Sequence, residues 1–232
     1  MTVILVLLTF ITFLVIDHFY GKYKGVQPVL ATAAARDIAR EGAEAMAAPR
    51  IQPSMVNGFK VPDNVRYHPG HTWALSESPN LVRVGMDDFA GKLAGKIESL
   101  TLPQRGQWIR QGQKIWSIQR DGQKVDMVSP IEGSVSDINE ALVNNPNLAR
   151  QDPYGEGWLV TVQAPDAKTN FRNLLGGLLA KSWVEEAAIR LQKRIPAMAG
   201  ALMQDGGEAV NDLTAQLPDA EWAQVAKEFF LS

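Results

Sequence analysis

The chain contains no cysteine at any of its 232 positions. Disulfide bonds, thiolate nucleophiles and zinc–thiolate centres are therefore excluded. Histidine is also scarce, with three residues in all, and one of them, His18, belongs to the apolar N-terminal region. Neither a Ser-His-Asp nor a Cys-His catalytic set can be assembled from what remains, so we expect no enzyme of these classes.

An excess of charge of either sign is missing as well. The 23 lysine and arginine residues nearly balance the 25 aspartate and glutamate residues, and no block of like charge interrupts the sequence. Nucleic-acid binding normally requires a basic patch or stripe. We therefore expect no nucleic-acid partner.

The two remaining histidines, His68 and His71, stand three positions apart with Pro69 and Gly70 between them. Such a pair suggests a metal site, but the sequence supplies no third ligand near it. We therefore predict that no metal is bound.

A glycine-containing stretch, "GMDDFAGKL" at residues 85–93, is similar to a phosphate-binding loop but differs in two details. Five residues separate its glycines instead of four, and Leu93 stands where a magnesium-binding hydroxyl is required. We interpret it as a short helix capped by Asp87 and Asp88. A second helix is predicted around residues 139–150.

Long apolar runs are confined to the N-terminus, where residues 3–16 carry no charge. A cleaved signal peptide is the alternative to an anchor, but no lysine or arginine precedes the run and the alanine-rich residues 31–35 lie too far downstream. We predict an uncleaved transmembrane helix over residues 1–21, in contact with the lipid bilayer. Because Lys22 and Lys24 follow it, the positive-inside rule predicts a single-pass inner-membrane protein with its main domain in the cytoplasm.

Three further regions follow the anchor. Residues 22–65 are rich in alanine and proline and offer few large apolar side chains, which is typical of a tether. Residues 66–165 contain short alternating apolar runs separated by turn glycines, which predicts a mainly β domain. Residues 166–232 change to helical spacing, which predicts an amphipathic helical extension.

A tight hairpin is predicted inside the β domain. The apolar run at residues 115–118 is followed by Asp121-Gly122 and then by a second alternating run at residues 125–128. Asp-Gly between two such runs is a strong signal for a two-residue turn, because both central residues need a positive φ.

Several motifs of the β domain resemble the glycine cleavage system H protein. They are "YHPGHTWAL" (67–75), the stretch 82–119 and the stretch 129–162, with "NEAL", "NPNL" and "DPYGEGWL" as its most specific parts. The resemblance covers about residues 66–165 and implies a barrel-sandwich hybrid, the lipoyl-domain fold. It implies that the predicted hairpin corresponds to the one that carries a lipoylated lysine in this family.

The resemblance places that lysine eight residues before Pro130, at Gly122. The turn glycine Gly112 stands at the family's distance of ten residues from the same position, and the family's acidic residue three positions earlier falls on Gln119. We therefore expect neither a lipoyl group nor another cofactor. The alternative is a carrier with lipoate or biotin on a displaced lysine, Lys124, serving a membrane-associated oxidoreductase.

The extension should contain a helix whose apolar face carries Phe171, Leu174, Leu175, Leu178 and Leu179. Gly176-Gly177 is predicted to kink this helix, Pro196 to end it, and Asp219 to cap a last helix.

Two interpretations of the last aromatic residues, Trp222, Phe229 and Phe230, stay open. They either dock on the β domain or insert into a groove of a partner protein. A surface of the extension, and not of the β domain, is a third candidate for the functional region. The function predicted from the sequence is a non-catalytic docking, scaffold or accessory subunit at the cytoplasmic membrane face.

Overall fold

The computed structural model describes residues 54–195, Ala209, residues 212–215 and residues 217–231, together with the helical positions Thr12, Leu14, Val15, Ile16 and His18. The chain divides into two units, Met1–Arg50 and Ile51–Ser232. No helix in the described part of the chain is both long enough and apolar enough to cross a bilayer. Apart from the five positions just named, the anchor predicted for residues 1–21 lies outside the described residues, as do residues 22–53.

The second unit contains three antiparallel sheets. Its strands are β1 (Met55–Val56), β2 (Phe59–Lys60), β3 (Arg66–His68), β4 (Thr72–Ser78), β5 (Leu81–Met86), β6 (Ser99–Thr101), β7 (Trp108–Ile109), β8 (Lys114–Arg120), β9 (Gln123–Val128), β10 (Gly133–Ile138) and β11 (Val160–Gln163). The largest sheet has the order β3-β4-β5-β11-β10-β7, the second has the order β6-β8-β9, and β1 pairs with β2. The prediction of a mainly β fold is confirmed.

The sheets enclose one hydrophobic core. Strand β5 shows the underlying pattern, since Val82 and Val84 are fully buried while Leu81 and Arg83 are only partly covered. The largest buried side chains include Trp73 from β4 and Trp116 from β8. Aromatic side chains of this size dominate the energetics of a small core.

The helices are α1 (Asp88–Ala94), α2 (Ala141–Asn144), α3 (Leu148–Gln151), α4 (Ala167–Arg172), α5 (Gly177–Arg194) and α6 (Asp219–Phe230). The short helix predicted after Gly85 is α1, and Asp87 is its N-cap, with the Ala90 amide donating to Asp87 Oδ1 at 2.7 Å. The helix predicted around residues 139–150 is instead two short helices, because Pro146 lies between them and cannot continue a helix.

Residues 54–65 belong to the folded unit, although the sequence pattern assigned them to the tether. Phe59, Val61 and Val65 are buried in the core, and β2 carries the first of them. Two of these residues are valines among proline and polar neighbours, a spacing too sparse to mark a strand.

The helical extension differs from its prediction at Gly176-Gly177. The helix breaks before these glycines instead of kinking there: Gly176 is the N-cap of α5 and Gly177 its first residue. Leu175, just before them, forms an isolated bridge with Tyr67. The break changes the phase of the apolar face, so Leu178 and Leu179 are 83% and 63% exposed instead of buried. As predicted, α5 ends just before Pro196.

Candidate functional site

The hairpin formed by β8 and β9 has the register that the sequence predicted. Arg120 pairs with Gln123, and Gln119 pairs with Lys124. Asp121 and Gly122 form the two-residue turn between them, with φ values of +48° and +74°. Positive φ at both central residues is the signature of a type I′ turn, whose twist matches that of the flanking strands.

The tip of this hairpin is open. Asp121 and Gly122 are both exposed, and a Cβ built on Gly122 would have no described heavy atom within 4 Å. Neither turn residue carries an amine. A longer side chain at residue 122 would project away from the protein, at the cost of strain from the left-handed backbone.

Lys124 lies in the returning strand and not in the turn. It is exposed, and its pairing with Gln119 places it two positions beyond Gly122 along β9. Bringing it into the turn would require a two-residue shift of register, which would break the pairing of Ile118 with Val125.

Arg120 lies directly before the turn and is 7% exposed. We call its position the base of the turn. Its Nη1 donates to the carbonyl of Ala94 at 3.2 Å and to Thr214 Oγ1 at 2.8 Å. Its guanidinium also lies 5.4 Å from the ring centroid of Trp222, a cation–π distance. The hairpin is thereby connected to both α1 and the C-terminal segment.

The last turn of α1 forms the other side of this junction. Helix ends leave their final carbonyl groups without helical partners. Here the amide of Leu213 donates to the carbonyl of Lys92 at 3.1 Å, and Trp222 Nε1 donates to that of Leu93 at 2.9 Å. With Arg120 on the Ala94 carbonyl, three successive carbonyl groups are satisfied by the hairpin and the C-terminal segment. We call this arrangement of Arg120, residues 92–94, residues 212–214 and Trp222 the junction.

Helix α6 packs against β9, which is an edge strand of its sheet. Trp222, Phe229 and Phe230 are each at most 2% exposed within this chain's own core. The suggestion that these three side chains insert into a partner's groove is therefore not supported by their position. The alternative, docking on the β domain, is what the structure contains, because the side chains cover apolar groups that would otherwise face water.

His71 connects the β domain to both long helices of the extension. Its ring is stacked on Phe89 with centroids 4.2 Å apart, and it lies 4.5 Å from the ring of Trp183 and 6.1 Å from that of Phe229. Its Nδ1 is 2.8 Å from Asp87 Oδ2. A carboxylate only accepts hydrogen bonds, so Nδ1 carries the proton. The ring is fully buried and serves packing.

His68 and His71 do not converge on a metal. The amide of Gly70 donates to His68 Nδ1 at 3.0 Å, and burial lowers the pKa of His68 from its ordinary value of 6.5. His71 points instead to Asp87. Among the residues that the structure describes, no cluster of three or more potential metal ligands occurs.

Asp88 is a buried carboxylate whose pKa is shifted by its surroundings. Burial raises its pKa, and Lys92 Nζ, 2.5 Å from Asp88 Oδ2, opposes that rise. The amide of Lys60 donates to the same oxygen at 2.9 Å. Buried carboxylates of this kind occur at catalytic sites, but this one is satisfied by its own helix and by β2, so we assign it to the fold.

The segment "DPYGEGWL" is held by the core. Trp73 Nε1 donates to the carbonyl groups of Met86 and Pro153, at 2.9 and 3.1 Å. The hydroxyl of Tyr154 donates to the carbonyl of Lys60 at 2.8 Å. Burial raises the pKa of Tyr154, so the hydroxyl stays protonated and continues to donate. Trp73 and Tyr154 are buried and shape the barrel.

The antiparallel sheets, the exposed hairpin and the short helix α1 form a lipoyl-domain-like fold. The family model described as "Glycine cleavage H-protein" matches residues 65–186. The chain therefore belongs to the glycine cleavage H-protein family.

Curated relatives agree with this membership. The chain is 36% identical over 108 residues to the glycine cleavage system H protein of Coprothermobacter proteolyticus, covering 47% of this chain and 85% of that one. It is 30% identical over 128 residues to the H protein of Anaeromyxobacter sp. strain K, covering 55% and 98%. A crystal structure of the H protein from Mycobacterium marinum has 25% identity and a TM-score of 0.46, with coverage of 55% and 99%.

Proposed function

We propose that this protein is a membrane-anchored member of the H-protein family that carries no lipoyl group. It acts as a docking, scaffold or accessory subunit for other proteins at the cytoplasmic face of the inner membrane. The observation that carries the proposal is the turn of the hairpin, formed by Asp121 and Gly122.

The turn supports this proposal because lipoylation requires an amine that projects from the hairpin. The position that corresponds to the family's lysine is Gly122, and its backbone conformation is one that glycine adopts at the lowest cost. A turn selected for lysine would have no reason to keep an Asp-Gly pair. The residues present do not fit a lipoyl group, so we assign no carrier step to this chain.

The membrane anchor rests on the N-terminal sequence. Residues 3–16 are uncharged and apolar, and Lys22 and Lys24 follow them. Leu14, Val15 and Ile16 are helical, and each is more than half exposed. Exposed apolar side chains on a helix are those that lipid would cover.

The second candidate function is a lipoyl or biotinyl carrier modified at Lys124. One observation favours it, since Lys124 is exposed within two residues of the turn. Against it, its neighbours in β9 are held in register by β8 on one side and are covered by α6. A swinging arm at this position would start from a strand and not from a turn.

The test is intact and peptide-level mass spectrometry of the protein purified from its native membrane. We expect the peptide that contains Lys124 to be entirely unmodified. A lipoyl or biotinyl adduct on Lys124 would refute the proposal and establish the carrier function. Recovery of the protein from the soluble fraction, with an unmodified N-terminal peptide, would refute the anchor alone.

A further inference from the structure

The C-terminal segment lies unusually close to the one part of the fold that a carrier must expose. Arg120 is the last residue of β8 before the turn, and it contacts Thr214 and Trp222 directly. Asp212, Thr214 and Trp222 therefore contact the residue directly before Asp121. The turn itself is open, but the space beside its base is filled.

We propose that Ala209, residues 212–215 and residues 217–231 form a built-in cover that prevents a modifying or partner enzyme from seating on the hairpin. Small molecules can still reach the turn, whereas a protein whose binding site has to surround the turn is excluded. This inference rests on the proposed function, and it adds a second barrier to carrier chemistry that is independent of the missing lysine.

The first support is the number of independent attachments. The amide of Ala209 donates to the carbonyl of Gly58 at 2.9 Å, and that of Leu213 donates to the carbonyl of Lys92 at 3.1 Å. Further along, Trp222 Nε1 donates to the carbonyl of Leu93. A segment held at three points, at Gly58 and at two residues of α1, cannot move aside by the rotation of one side chain.

The second support is the burial along α6. Half of its twelve residues are buried, namely Trp222, Ala223, Val225, Ala226, Phe229 and Phe230. They pack on β9 and on α1. Undocking this face would expose it together with the apolar side chains beneath it, so the open state is rare.

The third support is charge. Arg120 is flanked by Asp121 at 3.2 Å and by Asp212 at 3.5 Å. One carboxylate belongs to the turn and the other belongs to the cover, so the same guanidinium holds both. An enzyme that approaches the turn therefore meets Asp212 of the cover together with Arg120 and Asp121, and not the hairpin alone.

The experiment restores the missing features in the full chain. Gln119→Glu/Gly122→Lys reintroduces the lysine and the acidic residue that the family has before it. The variant is offered to a lipoate–protein ligase with lipoate and ATP. Ligation joins the carboxyl group of lipoate to the lysine amine as an amide and converts ATP to AMP and pyrophosphate. The H protein of Coprothermobacter proteolyticus is the control substrate, and intact mass gives the modified fraction.

We expect Gln119→Glu/Gly122→Lys to be modified at least about tenfold more slowly than the control, because only the rare uncovered state reacts. Adding Trp222→Ala should increase the rate, whereas adding Glu221→Ala, on the exposed side of α6, should not. Modification at the control's rate, or no gain from Trp222→Ala in a chain that still unfolds cooperatively, would overturn the proposal. If Trp222→Ala abolishes cooperative unfolding, Asp212→Ala/Thr214→Ala replaces it and must give the same gain.

A second measurement does not depend on any enzyme. Since the chain has no cysteine, Gly122→Cys and Gly112→Cys each introduce one thiol at an exposed turn glycine with positive φ. Iodoacetamide should alkylate both at similar rates, because the cover leaves the turn open. Slow alkylation at residue 122 alone would contradict this geometry. Neither result changes the proposed function, whose carrier-free part fails if the natural chain is modified at Lys124.

Discussion

The turn of the β8–β9 hairpin and the residue directly before it contrast sharply in their surroundings. At the tip, Asp121 and Gly122 are exposed and a side chain at residue 122 would meet open space. At the base, Arg120 is buried and bonded to α1 and to the C-terminal segment. The tip depends only on local backbone preference, whereas the base depends on residues about 26 and 94 positions away along the chain. Substitutions at the two places should therefore differ in cost.

The largest effect is expected from Trp222→Ala, which removes the buried side chain at the centre of the junction. Deleting a fully buried aromatic side chain leaves a cavity and lowers the free energy of unfolding by about 3–5 kcal/mol. Equilibrium unfolding in urea measures the change. The matched control is Glu221→Ala, next to it on the exposed side of α6, for which we expect a change within about 0.5 kcal/mol. Equal effects at the two positions would mean that α6 does not dock on the β domain.

The second prediction compares the same substitution in the junction and in the turn. Gly95 has φ +63° and ψ −143°, and a Cβ there would meet Arg120 and Asp212. Gly95→Ala should lower the free energy of unfolding by about 1–3 kcal/mol through backbone strain. The total loss should be larger, because the new Cβ also displaces side chains of the junction. Gly122→Ala carries only the left-handed strain, about 1–2 kcal/mol. Thermal unfolding of both variants decides, and the prediction is wrong if Gly122→Ala is the more destabilised.

A third, smaller effect is the coupling between Arg120 and Thr214. A double-mutant cycle with Arg120→Ala and Thr214→Ala should give a coupling energy of about 1–2 kcal/mol, since the bond is buried and one partner is charged. The control cycle pairs Lys124→Ala with Thr214→Ala, and its coupling should be close to zero. Additive effects in the Arg120 cycle would show that the hydrogen bond to Thr214 does not stabilise the fold.

The smallest effect concerns pH and a residue remote from the hairpin. Burial lowers the pKa of His68 in the folded protein below its ordinary value of 6.5, so the unfolded chain takes up a proton first as the pH falls. The contribution of His68 to stability is therefore complete above that value and is lost progressively below it. Unfolding measured at about pH 7.5 and about pH 5.5 should show this loss, and His68→Asn should reduce it. Asparagine keeps an acceptor for the Gly70 amide but does not titrate. An unchanged pH dependence would assign the loss to other groups.

Much of the barrel could be predicted because its signals are local. The Asp121-Gly122 turn, α1 after Gly85 and the break before Pro196 all follow from the conformational preferences of a few neighbouring residues. The position of Lys124 outside the turn also follows from the register of the two strands.

The junction was not predicted, although one signal for it was present. Trp116, Ile118 and Arg120 stand at alternate positions of β8, so the period of two puts Arg120 on the buried face. A buried arginine requires partners, and its partners come from α1 and from residues 212–222. No sequence pattern links segments so far apart. The exposure of Leu178 and Leu179 was missed for a related reason, since a left-handed Gly177 changed the phase of the helix.

The sequence by itself determined the membership of the family, the form of the hairpin turn and the absence of an amine in it, because each depends on residues that are adjacent along the chain. Only the tertiary structure decided where the C-terminal segment lies and that Trp222, Phe229 and Phe230 are buried against this chain's own barrel. An amphipathic helix encodes an apolar face but not the surface that covers it. That surface is created when β9 and α1 come together, and the base of the turn is fixed at the same time.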